Sequence, residues 1–344
     1  MIEFEDFHGK LIRITKYDVL NSGAEAICVK FEHPEEHVMC VLKAFGYGEV
    51  NETLPIISEA LDKAGAEIDK LGVCSPEEAN IIKEALSLIR PMSWGTAVVD
   101  GETRPATIRR FVDGILMDND IAFLSAMPSD IYERFKVLGR FLILLHLFYS
   151  AEATSGAMRL RLVHMDLTPP NIILTEIRKK KIPVMIDVES SGIYDISSKS
   201  WYREPLAYRV DYAGWWRAPE AEVREDEDGR TIPVWDKYTP ETSLWYAYQA
   251  LFMMIFEEQP LGFVIPEHEK LVELIERGRK GEYSLWPPEV FYDDLMVRNY
   301  YEYLNERIDA IAGEFASLCR EAFFMAFVRR VDPWWMFQQL IGFL

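Results

Sequence analysis

The sequence predicts an α+β protein of two lobes: a small antiparallel β lobe with an inserted helical region over residues 1–112, and a larger, mainly helical lobe over 113–344. Three observations predict it. Short β-branched runs separated by turn residues crowd the first third of the chain, and long apolar-periodic segments dominate the chain beyond Asp113-Gly114. Among those segments, two short β-branched runs flank a charged tip and read as a hairpin.

Taken in order, residues 10–14, 26–31 and 38–45 are β-rich, separated by Asn21-Ser22-Gly23 and His33-Pro34-Glu35, residue types that favour turns. Helical patterns come next, over 52–71 and 76–89. The second has a defined start, with Ser75 as N-cap, Pro76 in the first helical position and Glu78 three residues after the cap. Strands return over 95–99 and 107–112, with a turn at Asp100-Gly101-Glu102. Beyond Gly114, Ser129 is the expected cap of a long helix through residue 148, and further helices are expected over 242–256, 267–277 and 300–327. The hairpin joins Ile172-Ile173-Leu174 to Val184-Met185-Ile186, and its tip, Arg178-Lys179-Lys180-Lys181, is expected to be solvated. The acidic run 222–228 reads as an exposed loop, and no internal repeat is found.

Composition bounds the function. With 49% hydrophobic and 27% charged residues, the 344-residue chain is expected to fold around a sizeable core. Its net charge of -19 repels phosphate backbones and anionic lipid, so no nucleic acid and no membrane surface is expected as a partner. Cys28, Cys40, Cys74 and Cys319 lack the paired spacing of a zinc site or a disulfide framework and are expected to be buried thiols. The acidic start lacks the basic and apolar regions of a signal peptide, and the apolar stretch 244–256 is too short to span a bilayer, so a cytoplasmic protein is expected.

The chemistry concentrates in His164-Met165-Asp166-Leu167-Thr168-Pro169-Pro170-Asn171 and, after the hairpin, Asp187-Val188-Glu189. An Asp and an Asn five residues apart on one loop can converge with a second Asp at the end of the next strand pair. Three oxygen-bearing side chains at one point suit Mg²⁺, a hard cation that leaves room for phosphate. One carboxylate can also orient an attacking hydroxyl. Singly, each residue is also a common turn former.

These residues resemble the catalytic loop of the protein-kinase-like superfamily, H-R-D-L-x-P-x-N in its usual form, and the order loop, strand, strand, Asp187 resembles the approach to the metal-binding D-F-G. The resemblance implies ATP and Mg²⁺ as cofactors. In it Asp166 orients the acceptor hydroxyl, Asn171 binds a second metal ion, Asp187 holds the ion bridging the ATP phosphates, and His164 packs. Gly23 stands alone in the place of the Gly-rich loop, while Lys43, ending Cys40-Val41-Leu42-Lys43, resembles the V-A-I-K lysine that grips the phosphates. Its glutamate partner would be Glu59 or, second, Glu84. The interlobe hinge would fall at Arg110-Phe111-Val112-Asp113-Gly114, where main-chain groups near Phe111 and Val112 would bind adenine.

Trp215-Trp216-Arg217-Ala218-Pro219-Glu220 resembles the end of a protein-kinase activation segment, whose glutamate would pair with Arg329 or Arg330. The chain also departs from the pattern. Met165 replaces an arginine, Thr168 stands where serine/threonine kinases carry a lysine, Ala213 replaces a threonine, and Glu189 replaces the glycine of D-F-G. An Asp-x-Glu there is similar to aminoglycoside and choline kinases. The resemblance therefore implies a serine/threonine protein kinase acting on a protein substrate first, a kinase for a small-molecule hydroxyl acceptor second, and a pseudokinase that binds partners without turnover third.

Overall fold

Alternating burial reveals how the first third of the chain is built. In one short strand Ile12 and Ile14 point inward while Leu11 and Arg13 face out, the period-2 pattern of a half-buried sheet. The structure, a computed structural model, describes residues 1–22, 26–46, 50–72, 75–156, 158–205, 218–225, 227, 231–258, 268–283, 285 and 295–341. Gly23, Cys74, Ala213 and Trp215-Trp216-Arg217 lie outside the described residues.

Strands β1 (Ile2–Asp6), β2 (Leu11–Ile14), β3 (Asp18–Ser22), β4 (Ala26–Glu32) and β5 (Met39–Phe45) precede helices α1 (Val50–Leu71) and α2 (Pro76–Ile89). Strands β6 (Pro91–Val99) and β7 (Glu102–Arg110) complete a seven-stranded antiparallel sheet in the order β2-β1-β6-β7-β5-β4-β3. After β8 (Ile115–Leu116) come α3 (Asp120–Ala126) and the buried α4 (Ile131–Ser150), then β9 (Glu152–Ser155), β10 (Met158–Val163), β11 (Ile172–Ile177) and β12 (Lys180–Met185). The chain continues through β13 (Gly192–Asp195), β14 (Ser200–Arg203), β15 (Val223–Glu225) and β16 (Thr231–Pro233). It ends in α5 (Pro240–Phe256), α6 (His268–Arg279), α7 (Leu295–Ala312), α8 (Ala316–Arg329) and α9 (Pro333–Ile341). Smaller sheets run β14-β13-β10-β9, β12-β11-β8 and β15-β16. The α+β class expected from the sequence is the one observed.

Several boundaries differ from the sequence reading, each for a local reason. The acidic start is strand β1, with Phe4 buried between Ile12 and Ala97 in register and acidic residues on its other face. Ser75 caps α2 as expected, accepting from the Glu78 N–H at 3.2 Å. Asp130, not Ser129, caps α4, its carboxylate accepting the Glu133 N–H at 3.0 Å. The expected helix 300–327 is two helices, broken where Gly313 adopts φ +52°. Part of the acidic run, Val223–Glu225, pairs with β16. The hairpin tip is docked as well as solvated: Arg178 pairs with Glu84 at 3.1 Å and Lys181 Nζ donates to the Ala126 carbonyl.

Two cores hold these layers. On the outer face of the large sheet, Phe4, Phe31, Leu42 and Ile108 cluster with Ile2, Ile12 and Ile14. Helices α1 and α2 instead join α4, α5 and α8 in one larger core. There edge-to-face pairs such as Trp245–Phe327 (5.1 Å) and Phe252–Phe323 (5.1 Å) lock α5 to α8. Arg140 of α4 ties the helices together, bonding both oxygens of Glu78 on α2 at 2.7 and 2.8 Å and the Lys181 carbonyl at 3.0 Å. Cys40 and Cys319 are buried as expected, Cys28 is half-buried, and all three are free. No helix among the described residues is long and apolar enough to cross a membrane.

Candidate active site

Main-chain hydrogen bonds fold the loop after β10 against the end of β12. The Ile186 N–H donates to the Asn171 carbonyl at 2.8 Å, and the Asn171 N–H closes a short turn onto the Thr168 carbonyl at 2.8 Å. Buried His164 joins the two segments: its Nε2–H donates to the Ile186 carbonyl at 2.9 Å, and its Nδ1 accepts the Asp166 N–H at 3.3 Å. Those roles fix the proton on Nε2. Burial also lowers the affinity of the ring for a second proton, so His164 is a neutral brace.

This clamp brings Asp166, Asn171 and Asp187 to one place. Asp166 accepts from Thr168 Oγ1 at 3.1 Å through one carboxylate oxygen and from Asn171 Nδ2 at 2.7 Å through the other. The same amide nitrogen also donates to the Asp166 carbonyl at 2.8 Å. With its nitrogen so engaged, Asn171 keeps its amide oxygen without a partner among the described residues. Burial, and next the nearby negative charge of Asp187, push the Asp166 carboxyl up to about 7 against the pull of those hydrogen bonds.

Asp187 sits in the left-handed region at φ 63°, a conformation that Asp tolerates better than most residues. Its carbonyl accepts from Ser190 Oγ at 2.9 Å and from the Ser190 N–H at 3.1 Å, which holds the twist. The carboxylate bonds the Lys43 ammonium. Burial raises the Asp187 carboxyl, but the Lys43 charge prevails and holds it below the usual carboxylate range. Burial alone would lower Lys43; the charges of Asp187 and Glu189 outweigh it and push the ammonium up to about 12.

The structure therefore brings together Lys43, Asp166, Asn171 and Asp187. It separates Glu59 from them. The buried face of α1 is apolar, through Leu54, Ile57, Leu61, Ala64 and Ile68, so Glu59 lies outside and pairs with Lys63 at 2.6 Å. Glu84 pairs with Arg178 at the hairpin tip. The carboxylate near Lys43 besides Asp187 is Glu189, noticed in the sequence only as a departure from D-F-G. The signal that could have found it is the carboxylate two residues beyond a strand-ending Asp.

At the expected hinge, the Phe111 N–H is engaged by the Met39 carbonyl at 2.9 Å, and Lys30 Nζ lies 3.8 Å from the Phe111 ring centroid. The Phe111 amide is thus committed to the first residue of β5 rather than open to a base. Buried Val112 comes next, with no main-chain hydrogen bond among the described residues. Of the two arginines proposed for Glu220, Arg330 makes the pair, at 3.0 Å, while its guanidinium lies 4.7 Å from the Trp245 ring centroid. Exposed Arg329 does not take part.

Among the described residues no group of three or more His, Cys, Asp and Glu side chains forms a cation cage. Two carboxylates and a free amide oxygen beside a lysine fit a different case, Mg²⁺ held by one or two carboxylates with phosphate oxygens completing its shell. Against this geometry, no protein-family model matches the chain, and no curated protein matches it significantly.

Proposed function

We propose that the chain is an ATP- and Mg²⁺-dependent phosphotransferase of the protein-kinase-like superfamily, with a small lobe over 1–112, a large lobe over 113–344, and the hydroxyl of a protein serine or threonine as acceptor. One observation carries the reading: a main-chain clamp gathers a base-like carboxylate, a free amide oxygen and a lysine-paired carboxylate from separate segments of the chain. The Arg330–Glu220 pair supports the protein acceptor, because it anchors Ala218-Pro219-Glu220, the end of the segment that resembles a substrate-docking activation segment.

Mg²⁺-bound ATP supplies the phosphoryl group and neutralises its charge; Asp187 and the Asn171 amide oxygen would hold the metal, and Lys43 the phosphates. Asp166 does the work that belongs to the chain. A carboxyl half-ionised near neutrality is suited to accept the proton of the acceptor hydroxyl as its oxygen attacks. Thr168 and Asn171 fix the direction of that carboxylate, and neutral His164 holds the loop without competing for the proton.

A small-molecule acceptor is the second reading, favoured by Asp187-x-Glu189 and by Thr168, whose hydroxyl is occupied by Asp166 where a lysine would face the transferred phosphate. Incubation with γ-labelled ATP against a peptide library and a panel of small alcohols and amines separates the two. Label is expected in peptides, and Asp187→Ala is expected to abolish it; undiminished labelling by that variant would remove the mechanism. Nucleotide binding with no acceptor labelled would instead leave a pseudokinase.

A further inference from the structure

Glu189 is a fully buried carboxylate with one oxygen unaccounted for. Its Oε1 receives the Thr107 hydroxyl at 3.4 Å and faces Arg109 Nε at 3.7 Å, but Oε2 has no hydrogen-bond partner, and neither does Arg109 Nε. An unpaired oxygen of this kind is costly, which points to a partner engaged in another state of the molecule.

The sheet register identifies the partner. Thr107 of β7 is directly opposite Lys43 of β5, and Arg109 lies two residues further along the same face. Lys43, Thr107 and Arg109 therefore line one surface, and Glu189 packs beneath it. Lys43 is bonded to Asp187, and the four charges of Lys43, Arg109, Asp187 and Glu189 balance, two positive and two negative. A divalent cation on Asp187 would displace the ammonium. Glu189, held by the Thr107 hydroxyl directly opposite Lys43, is then the carboxylate among the described residues that is placed to receive it.

Resting on the phosphotransferase reading, we infer that Glu189 is the positioning residue for Lys43 in the nucleotide-bound state, filling the place expected for a helix glutamate at 59 or 84. Thr107 and Arg109 fix its carboxylate, and Lys43 would pair with Glu189 wherever Asp187 is occupied by a divalent cation. Segment 187–190 thereby couples metal occupancy to the lysine that meets the phosphates.

A double-mutant cycle read by calorimetric titration with Mg·ATP tests the assignment on the full chain, with thermal unfolding to verify folding. Glu189→Gln is expected to weaken Mg·ATP binding by about 10–100-fold, the range for a residue acting through a ligand-holding neighbour. In a Lys43→Met background the same change is expected to have no further effect. Thr107→Val, which removes only a hydroxyl, provides a milder probe should Glu189→Gln not fold; a loss of roughly 2–10-fold is expected, again only when Lys43 is present. Unchanged affinity, or an equal loss with and without Lys43, overturns the assignment and leaves Glu189 as a structural partner of Arg109 or a metal ligand. A wild-type chain that binds no Mg·ATP overturns the phosphotransferase reading itself, a result distinct from wild-type binding that Glu189→Gln matches.

Discussion

Asp166 is subject to opposing demands of stability and chemistry. Its carboxyl, ordinarily near 3.8, is pushed up to about 7 in the folded chain by burial and by Asp187. Between those values the folded chain holds a proton that the unfolded chain has released, so this group lowers stability as pH rises through the window. Asp166→Asn is therefore expected to raise the thermal midpoint at pH 8 by roughly 2–4 °C, with the gain shrinking toward pH 5. Under the proposed phosphotransferase function, labelling of the acceptor should fall by about 10²-fold or more. A midpoint at pH 8 below that of wild type would contradict the burial of an ionised carboxylate here. Lys43, unlike Asp166, contributes stability at neutral pH: Lys43→Met leaves Asp187 and Glu189 with an uncompensated buried charge and is expected to cost about 3 kcal/mol in denaturant unfolding. At this scale the sequence was informative where spacing matters. His164, Asp166 and Asn171 share one loop and Asp187 comes after a hairpin, so their convergence was readable. The environment of Lys43 was not, because it depends on which face of β5 meets which face of β7, and no local pattern encodes that pairing.

Helices and strands declare themselves unevenly, according to how much of their signal is local. Ser75, Pro76 and Glu78 announce α2 because a cap is a contact between near neighbours. The acidic β1 was hidden because its charged face outweighs two buried apolar residues, Ile2 and Phe4, in any compositional reading. Gly313 was hidden because a single glycine is tolerated within a helix, whereas here it supplies a left-handed break between α7 and α8. Among the described residues nothing beyond its immediate chain neighbours lies within 4 Å of where its Cβ would stand, so Gly313→Ala should cost only the conformational penalty, about 1–2 kcal/mol by chemical denaturation. Between elements, the bidentate Glu78–Arg140 bond joins α2 to α4. Removing the guanidinium with Arg140→Met is expected to cost about 1.5–3 kcal/mol, read as a lower denaturant midpoint with little change of slope.

For the molecule as a whole, the larger core reaches across the boundary anticipated at residues 112 and 113, since α1 and α2 pack with α4, α5 and α8. Relative motion of the large sheet would then have to slide on those helices rather than swing freely about the expected hinge. The outer face of that sheet is sealed separately, and its margin has a consequence of its own. Strands β1 and β2 cover the flank of β6, a nine-residue strand with apolar Val98 and Val99 near its end. Deleting the first fourteen residues would strip four aliphatic and aromatic side chains from the small core and leave a long row of main-chain donors and acceptors without neighbours. Such a shortened chain should precipitate or form intermolecular strand pairs on gentle warming, detectable by light scattering. The opening hairpin serves this fold as a selvedge, keeping the sheet from knitting to its neighbours.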